Sequence, residues 1–315
     1  MSDYANILYF LEESNKLYRA KSYLNAAVSA FWCLKYCEEG EPYGISAEKL
    51  CEARSKARSI YNSCLNRLPS PMLSKTTFVY GTICPKLLWL YKHKFNYRHI
   101  SDETQQKFDY GHNIGSLAQK LFTNGIDASV IGNSCKIDMS RITIPFKLRQ
   151  HIWIKQTADL YNDHTIYEAA FEHNGVFAAV DILERGTLDH IAYEVKCSSK
   201  ISDTFLTDCA LQLYVISHHC KLKDFFLIYI NESYLQETQI PFDSITESNI
   251  DIERLFIKES VLSRILPLQE KVKAQIESFK LILSQKEPSI PMGCQCSAPY
   301  ECMFSHYCSK KQTWP

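Results

Sequence analysis

The sequence carries no excess of charge of either sign: Lys+Arg 35 is matched by Asp+Glu 35. A chain that coats nucleic acid indiscriminately is basic overall, so any such contact here falls to a local cleft. A long apolar run is also missing, since none approaches the ~18 residues that cross a bilayer. The opening MSDYANILYFLEESNK has no basic segment ahead of an apolar stretch and no small-residue cleavage site. It does not read as a signal peptide, and the expectation is a cytoplasmic protein with no membrane partner. Fewer than three repeats are visible, which excludes a solenoid. The cysteines number 13, and an odd count argues against a closed disulfide framework.

What is present is a globular composition, 46% hydrophobic and 22% charged over 315 residues, enough for one large or two ordinary domains. Residues 1–68 carry apolar and small residues at three- and four-residue spacing, a pattern interrupted near Ser14-Asn15, and predict three helices. Pro69-Ser70-Pro71 marks a boundary, giving a helical unit over 1–70 and a second domain over 71–315. The helical unit reads as a cap or as a docking surface for a protein partner.

The second domain is organised around EAAFEHNGVFAAVDILERGTLDHIAYEVKCSSKISDTFLTDCALQLY. VFAAVDIL and HIAYEVK predict two antiparallel strands joined by a loop containing Gly186. Alternation puts Glu194 and Lys196 on one face of their strand, sends Val195 to the other, and leaves Asp181 on the neighbouring strand. Two carboxylates beside an ammonium suit magnesium or manganese, which take oxygen ligands and lower the pKa of bound water. Lys196 could position that water or balance charge on the transition state. The helix that follows brings Gln212 and Tyr214 as candidates to line the same cleft. An ordinary surface salt bridge is the bland alternative for such a triple.

Asp181, Glu194-Val195-Lys196 and the following Gln212 resemble the signature of the PD-(D/E)XK nucleases. The similarity is to the RecB-like branch that includes the CRISPR-associated exonucleases and the AddB nuclease domain. It covers about residues 72–309. The resemblance implies a restriction-endonuclease-like α/β fold: a mixed central sheet flanked by helices, here behind an all-helical N-terminal unit. It implies Mg- or Mn-dependent hydrolysis of DNA, favouring single-stranded ends. Asp181 and Glu194 would be metal ligands with Val195 in the same set, and Lys196 and Gln212 would orient water or substrate. A Gly-His pair on an early helix supplies an imidazole in this branch, which points to Gly111 and His112. Glu168 matches a glutamate upstream of the metal aspartate. The family tyrosine commonly stands four residues after the glutamine, whereas Ile216 stands there and the tyrosine is Tyr214.

Cys296, Cys302 and Cys308 form a C-x5-C-x5-C array, and Cys84 precedes Pro85 far upstream. One early and three late thiolates suit a [4Fe-4S] cluster. By resemblance to RecB-like exonucleases with an iron–sulfur cluster, these four are its ligands, and the surrounding S-K…C-P-K-x-x-W-L and C-S-x-P-Y-E-C resemble an uncharacterised bacterial group. Cys294 competes as a ligand and zinc as the metal. Cys33, Cys37, Cys51, Cys64, Cys135, Cys197, Cys209 and Cys220 read as small core residues. Aromatic residues near Lys92-His93-Lys94 could stack bases. DFFLIYI predicts a core strand, and IDIERLFIKESVLSRILPLQEKVKAQIESFKLILSQ one or two long amphipathic helices. The alternatives are a non-catalytic nucleic-acid-binding or scaffold protein and a zinc-stapled RNA nuclease.

Overall fold

The computed structural model describes residues 3–38, 46–70, 72–130, 146–160, 165–186, 189–298 and 301–312. Pro71 and Cys135, on which expectations fall, lie outside them. The chain divides into two compact units, Met1–Ser70 with 131–155 and Pro71–Val130 with Gln156–Pro315.

The first unit is helical: α1 (Asp3–Arg19), α2 (Tyr23–Glu38) and α3 (Ala47–Arg67), with residues 146–155 of a later helix. That later segment belongs here because Leu148 is buried among Ile7, Phe31, Trp32 and Tyr61. Lys147 also donates to the Leu65 carbonyl at 2.6 Å and His151 to that of Pro69 at 2.6 Å. The expected interruption at Ser14-Asn15 does not occur. The Ser14 hydroxyl and the Asn15 amide both donate back to the Leu11 carbonyl, so their polar groups are satisfied inside the helix. The break comes at Lys21, at φ 59°.

The second unit runs β1 (Leu73–Ser74), α4 (Lys75–Ile83), α5 (Pro85–His93), α6 (Asp102–Gln119), β2 (Gly125–Asp127), α7 (Phe146–Asp159, from Gln156 on), β3 (Thr165–His173), β4 (Val176–Arg185) and β5 (His190–Lys196). It continues with α8 (Asp203–Ile216), β6 (Leu222–Ile230), α9 (Glu232–Thr238), α10 (Ile252–Leu255), β7 (Phe256–Ser260), α11 (Leu262–Ile265), α12 (Gln269–Ser284) and α13 (Ser305–Gln312). The described residues form one mixed seven-stranded sheet in the order β2-β3-β4-β5-β6-β7, with β1 beside β4. β3, β4 and β5 are successive antiparallel strands, β5 and β6 are parallel, and β7 closes the edge antiparallel to β6. Asn174-Gly175 turns β3 into β4 with φ of 51° and 68°, the paired positive values of a tight hairpin.

The segment after β6 differs from the expected long helices. Residues 252–268 break into short turns around the strand β7, and the long helix begins only at Gln269. FIKES is five residues long and charged at two of them, as suits an edge strand, and its signal is lost within a longer amphipathic pattern.

Side chains from the two sheet faces meet different helices. Ile182, Tyr193 and Val195 pack toward Ile114, Leu117 and Ala118 of α6. The alternate residues face α8, whose last ten residues are nearly all buried. Behind α8, α4 and α12 meet closely: Phe78 and Phe279 stack edge to face at 5.3 Å, and a Cβ at Gly81 would stand 2.7 Å from the Phe279 ring. Among the scattered cysteines, Cys33, Cys37, Cys64 and Cys209 are buried as expected, Cys197 and Cys220 are half-buried, and Cys51 is exposed. No described helix is long and apolar enough to cross a membrane.

Candidate metal centre

β4 and β5 are bonded only from Ile182–Tyr193 to Arg185–His190, and then they part. Beyond that point β5 continues along β6, while β4 takes β1 as its neighbour. Asp181 and Glu194 are the next pair in register, so they face each other where the strands fork. The Val195 N–H, freed from the ladder by the fork, donates to Asp181 Oδ2 at 2.7 Å. Alternation then turns Glu194 and Lys196 together toward α8. Lys196 Nζ lies 2.6 Å from Glu194 Oε1 and 2.5 Å from Asp208 Oδ2.

A second ammonium enters the fork from β1 and α4. Ser74 caps α4 in a reciprocal capping box with Thr77, which fixes the next residue, Lys75, at the first helical position. Lys75 Nζ is 2.9 Å from Glu194 Oε1, 3.1 Å from Oε2 and 3.6 Å from Asp181 Oδ1. From α8, Gln212 is wholly buried and its amide donates to Glu194 Oε2 at 2.9 Å and more weakly to Asp208. Its Oε1 is buried without a hydrogen-bond partner among the described residues. Glu168 stands across from Asp181, since the flanking pairs are Tyr167↔Ile182 and Ala169↔Val180. Its φ is 53°, the only positive φ of a non-glycine inside a strand among the described residues. Such a conformation costs of order 1–3 kcal/mol and concentrates at functional sites.

Four carboxylates and two ammoniums therefore share one partly dry site, and burial and mutual charge pull apart the proton affinities of Glu168, Asp181, Glu194 and Lys196. Burial pushes the Glu168 carboxyl up to about 8, with Asp181 adding to the rise. Burial and Glu194 push Asp181 to about 6 against the pull of Lys75, Lys196 and the Val195 N–H. Burial works against the Glu194 charge, but Lys196 and Lys75 outweigh it and hold that carboxyl down to about 2. Burial would likewise strip the proton from Lys196, yet Asp208 and Glu194 hold it well above the lysine range.

The sequence-derived candidates divide as follows. Asp181, Glu194, Lys196, Gln212 and Glu168 come together. Glu168 lies inside β3. Val195 turns its side chain to the α6 face and contributes its N–H to Asp181. His112 is exposed on α6 and makes no hydrogen bond or ion pair with Asp181 or Glu194. A Cβ at Gly111 would meet no atom within 4 Å among the described residues. Tyr214 is buried on a different side of α8 from Gln212, where its hydroxyl accepts from Asn174 and its ring meets His173 and His218. The two-residue offset from Gln212 sends it there.

Two residues were missed. Asp208 precedes Gln212 by one helical turn, and that i, i+4 spacing could have exposed it. Lys75 lies 119 positions from Glu194 and gives no local signal beyond its place after a capping serine.

A second cluster forms where the chain end meets α5. Cys84, Cys296, Cys302 and Cys308 line one small cavity with Lys86, Leu87 and Pro291. Cys84 joins α4 to α5, and the tail is seated by Phe304 against Leu87 and Leu90 and by a 2.8 Å bond from the His99 N–H to the Met303 carbonyl. Burial raises the Cys302 thiol, with the neighbouring sulfurs adding to it. Cys294 is exposed and does not line the cavity. As placed, no three His, Cys, Asp or Glu side chains among the described residues form a group that could hold one metal ion. No family model matches the chain, and no curated protein matches it in sequence.

Proposed function

We propose that this protein is a divalent-metal-dependent DNA nuclease with a restriction-endonuclease-like core of the RecB-like kind, acting on single-stranded ends. The observation that supports it best is the convergence of Asp181 and Glu194 on one cation, the Lys75 ammonium, at a strand fork, with a separately anchored lysine alongside. Two carboxylates already aimed at one positive charge fit magnesium or manganese. A dication held by Asp181 and Glu194 would polarise the phosphodiester and make water a stronger nucleophile at neutral pH.

The chain's own residues supply the rest. Lys196, fixed by Asp208, keeps its proton throughout the neutral range and places a positive charge where the phosphate gains negative charge in the transition state. Gln212 fixes the rotamer of Glu194. Glu168 holds a proton at neutral pH in the metal-free chain, which it would release when a dication offsets its neighbours. Phe95 and Tyr97 are exposed beside Arg98 and Lys94, a stacking and charge pattern that suits unpaired bases.

The four cysteines would hold a [4Fe-4S] cluster tying α5 to the chain end. Zinc needs four thiolates at about 2.3 Å from one ion. Four cysteines lining one cavity could serve either metal, and the resemblance to RecB-like exonucleases with an iron–sulfur cluster favours the cluster. A scaffold role has one observation in its favour: Lys75 already occupies the carboxylate pair. End-labelled single- and double-stranded DNA, and RNA as competitor, incubated with anaerobically purified protein and manganese decide between them. Shortening of the single strand by the wild type but not by Asp181→Asn supports the nuclease. No cleavage of any substrate by cluster-loaded protein supports the scaffold.

A further inference from the structure

The two lysines of the site are anchored differently. Lys196 has a carboxylate of its own, Asp208 on α8 at 2.5 Å, and would keep it whatever happens to Glu194. Lys75 has none: its ion pairs are with Glu194 and Asp181, the two groups that would bind a dication. Among the described residues Lys75 alone bridges that pair. Its backbone is held by the Ser74–Thr77 capping box and by the pairing of β1 with β4. The side chain, 26% exposed, reaches the fork through a stem of four rotatable carbons. An ammonium and a dication compete for the oxygens of the two carboxylates and repel one another at a few ångströms, so binding of one weakens binding of the other.

We propose that Lys75 is an exchangeable counter-ion: it holds Asp181 and Glu194 together in the metal-free protein, yields them to a divalent cation, and turns to the non-bridging oxygens of the phosphate bound there. The inference rests on the reading of this site as a metal-dependent nuclease centre. It gives the two lysines separate tasks, a fixed charge at Lys196 and a mobile one at Lys75. It also makes phosphate binding by Lys75 conditional on metal loading.

Lysine accessibility in the wild-type protein is the first test. Amine-reactive labelling followed by mass spectrometry, with EDTA or with manganese, should show modification of Lys75 rising about fivefold or more on metal addition while Lys196 stays protected. The second is calorimetric titration of manganese into the wild type, Lys75→Met and Lys75→Arg. Lys75→Met should bind manganese on the order of five- to tenfold more tightly than the wild type, and Lys75→Arg no more tightly. Single-stranded DNA binding in calcium should be weaker for Lys75→Met than for the wild type, with no difference between them in EDTA. Unchanged Lys75 labelling, or manganese affinity in Lys75→Met no higher than in the wild type, overturns the exchange. If Lys75→Met does not fold, the labelling result decides alone. Manganese binding by Lys75→Met but not by the wild type makes Lys75 a permanent plug and also overturns exchange. Binding by neither overturns the metal-centre reading itself, an outcome distinct from the others.

Discussion

The Val195 N–H donates to Asp181 Oδ2 at 2.7 Å across the opening between β4 and β5. This bond replaces a ladder bond that the fork removes, and it ties Asp181 to the strand that carries Glu194. The carboxylates therefore face one another because of backbone pairing, not by side-chain choice alone. Asp181→Asn keeps an oxygen able to accept the same N–H and also removes a negative charge from a crowded site. The variant should fold with a melting temperature in EDTA at or above that of the wild type. Manganese-dependent cleavage of end-labelled single-stranded DNA should fall by about 100-fold or more. A melting point well below the wild type would mean that the charge itself holds the fork.

Lys196 is expected to matter for stability as well as for chemistry. Its ammonium neutralises Glu194 and Asp208, whose side chains are 2% and 7% exposed. Lys196→Met would leave both acids buried without that partner, a change that costs about 3–5 kcal/mol. Urea unfolding in EDTA measures this. Adding Asp208→Asn should recover part of the loss, because the two side chains act as one pair.

Much of this arrangement was legible in the sequence, and the rest was hidden for physical reasons. VFAAVDIL and HIAYEVK are short apolar runs on either side of a turn, so the hairpin is legible, and the facing of Glu194 and Lys196 then follows from the period of two. Cys84 and the late cysteines announce a common destination, and the structure gives them one cavity. Lys75 was invisible because its contact is purely tertiary. β7 was hidden because a five-residue edge strand leaves too few alternations to stand out from the helical period around it. His112 looked like a ligand by resemblance, yet α6 covers the sheet face opposite the one to which Glu194 turns. The uninterrupted α1 shows how side chains that commonly end a helix can instead bond back into it.

The pH dependence of stability should reveal Glu168. Its carboxyl stands at about 8 in the folded chain against an ordinary 4.5, chiefly through burial and then through Asp181. Between those values the folded state holds more protons than the unfolded state, so stability falls as pH rises through this window. Asp181, raised from 3.8 to about 6, steepens the lower part of the same fall. Glu194, held down to about 2, contributes fully throughout. In EDTA the melting temperature should therefore drop from about pH 5 to about pH 8, and Glu168→Gln should flatten the upper half of that drop. Manganese should stabilise the protein more at the alkaline end, where the carboxylates it would bind are already ionised.

The cysteine cavity makes a separable prediction about colour. Protein purified without oxygen should be brown, with a visible absorbance that zinc does not give. Replacing any one of Cys84, Cys296, Cys302 or Cys308 with serine should bleach it and loosen the seat of the chain end on α5. Cys294→Ser should keep the colour, because Cys294 is exposed and lies off the cavity. Metal analysis of the same samples checks the assignment, and zinc in place of iron would overturn it.

The exposed aromatics after α5 test the proposed preference for unpaired bases. Phe95 and Tyr97 are 40% and 59% exposed, and the Arg98 guanidinium lies 3.8 Å from the Phe95 ring centre. Exposed rings of this size that pack mainly on neighbouring cations and aromatics contribute little to the core. Replacing both with alanine should therefore leave the melting temperature nearly unchanged. Base stacking on such rings is worth roughly 1–3 kcal/mol per base. The double variant should bind single-stranded DNA at least about tenfold more weakly in calcium, where cleavage is suppressed. Duplex DNA, whose bases are already stacked, should lose little. Equal losses for both forms, measured by fluorescence anisotropy at one salt concentration, would show that the surface reads phosphate charge and not unpaired bases.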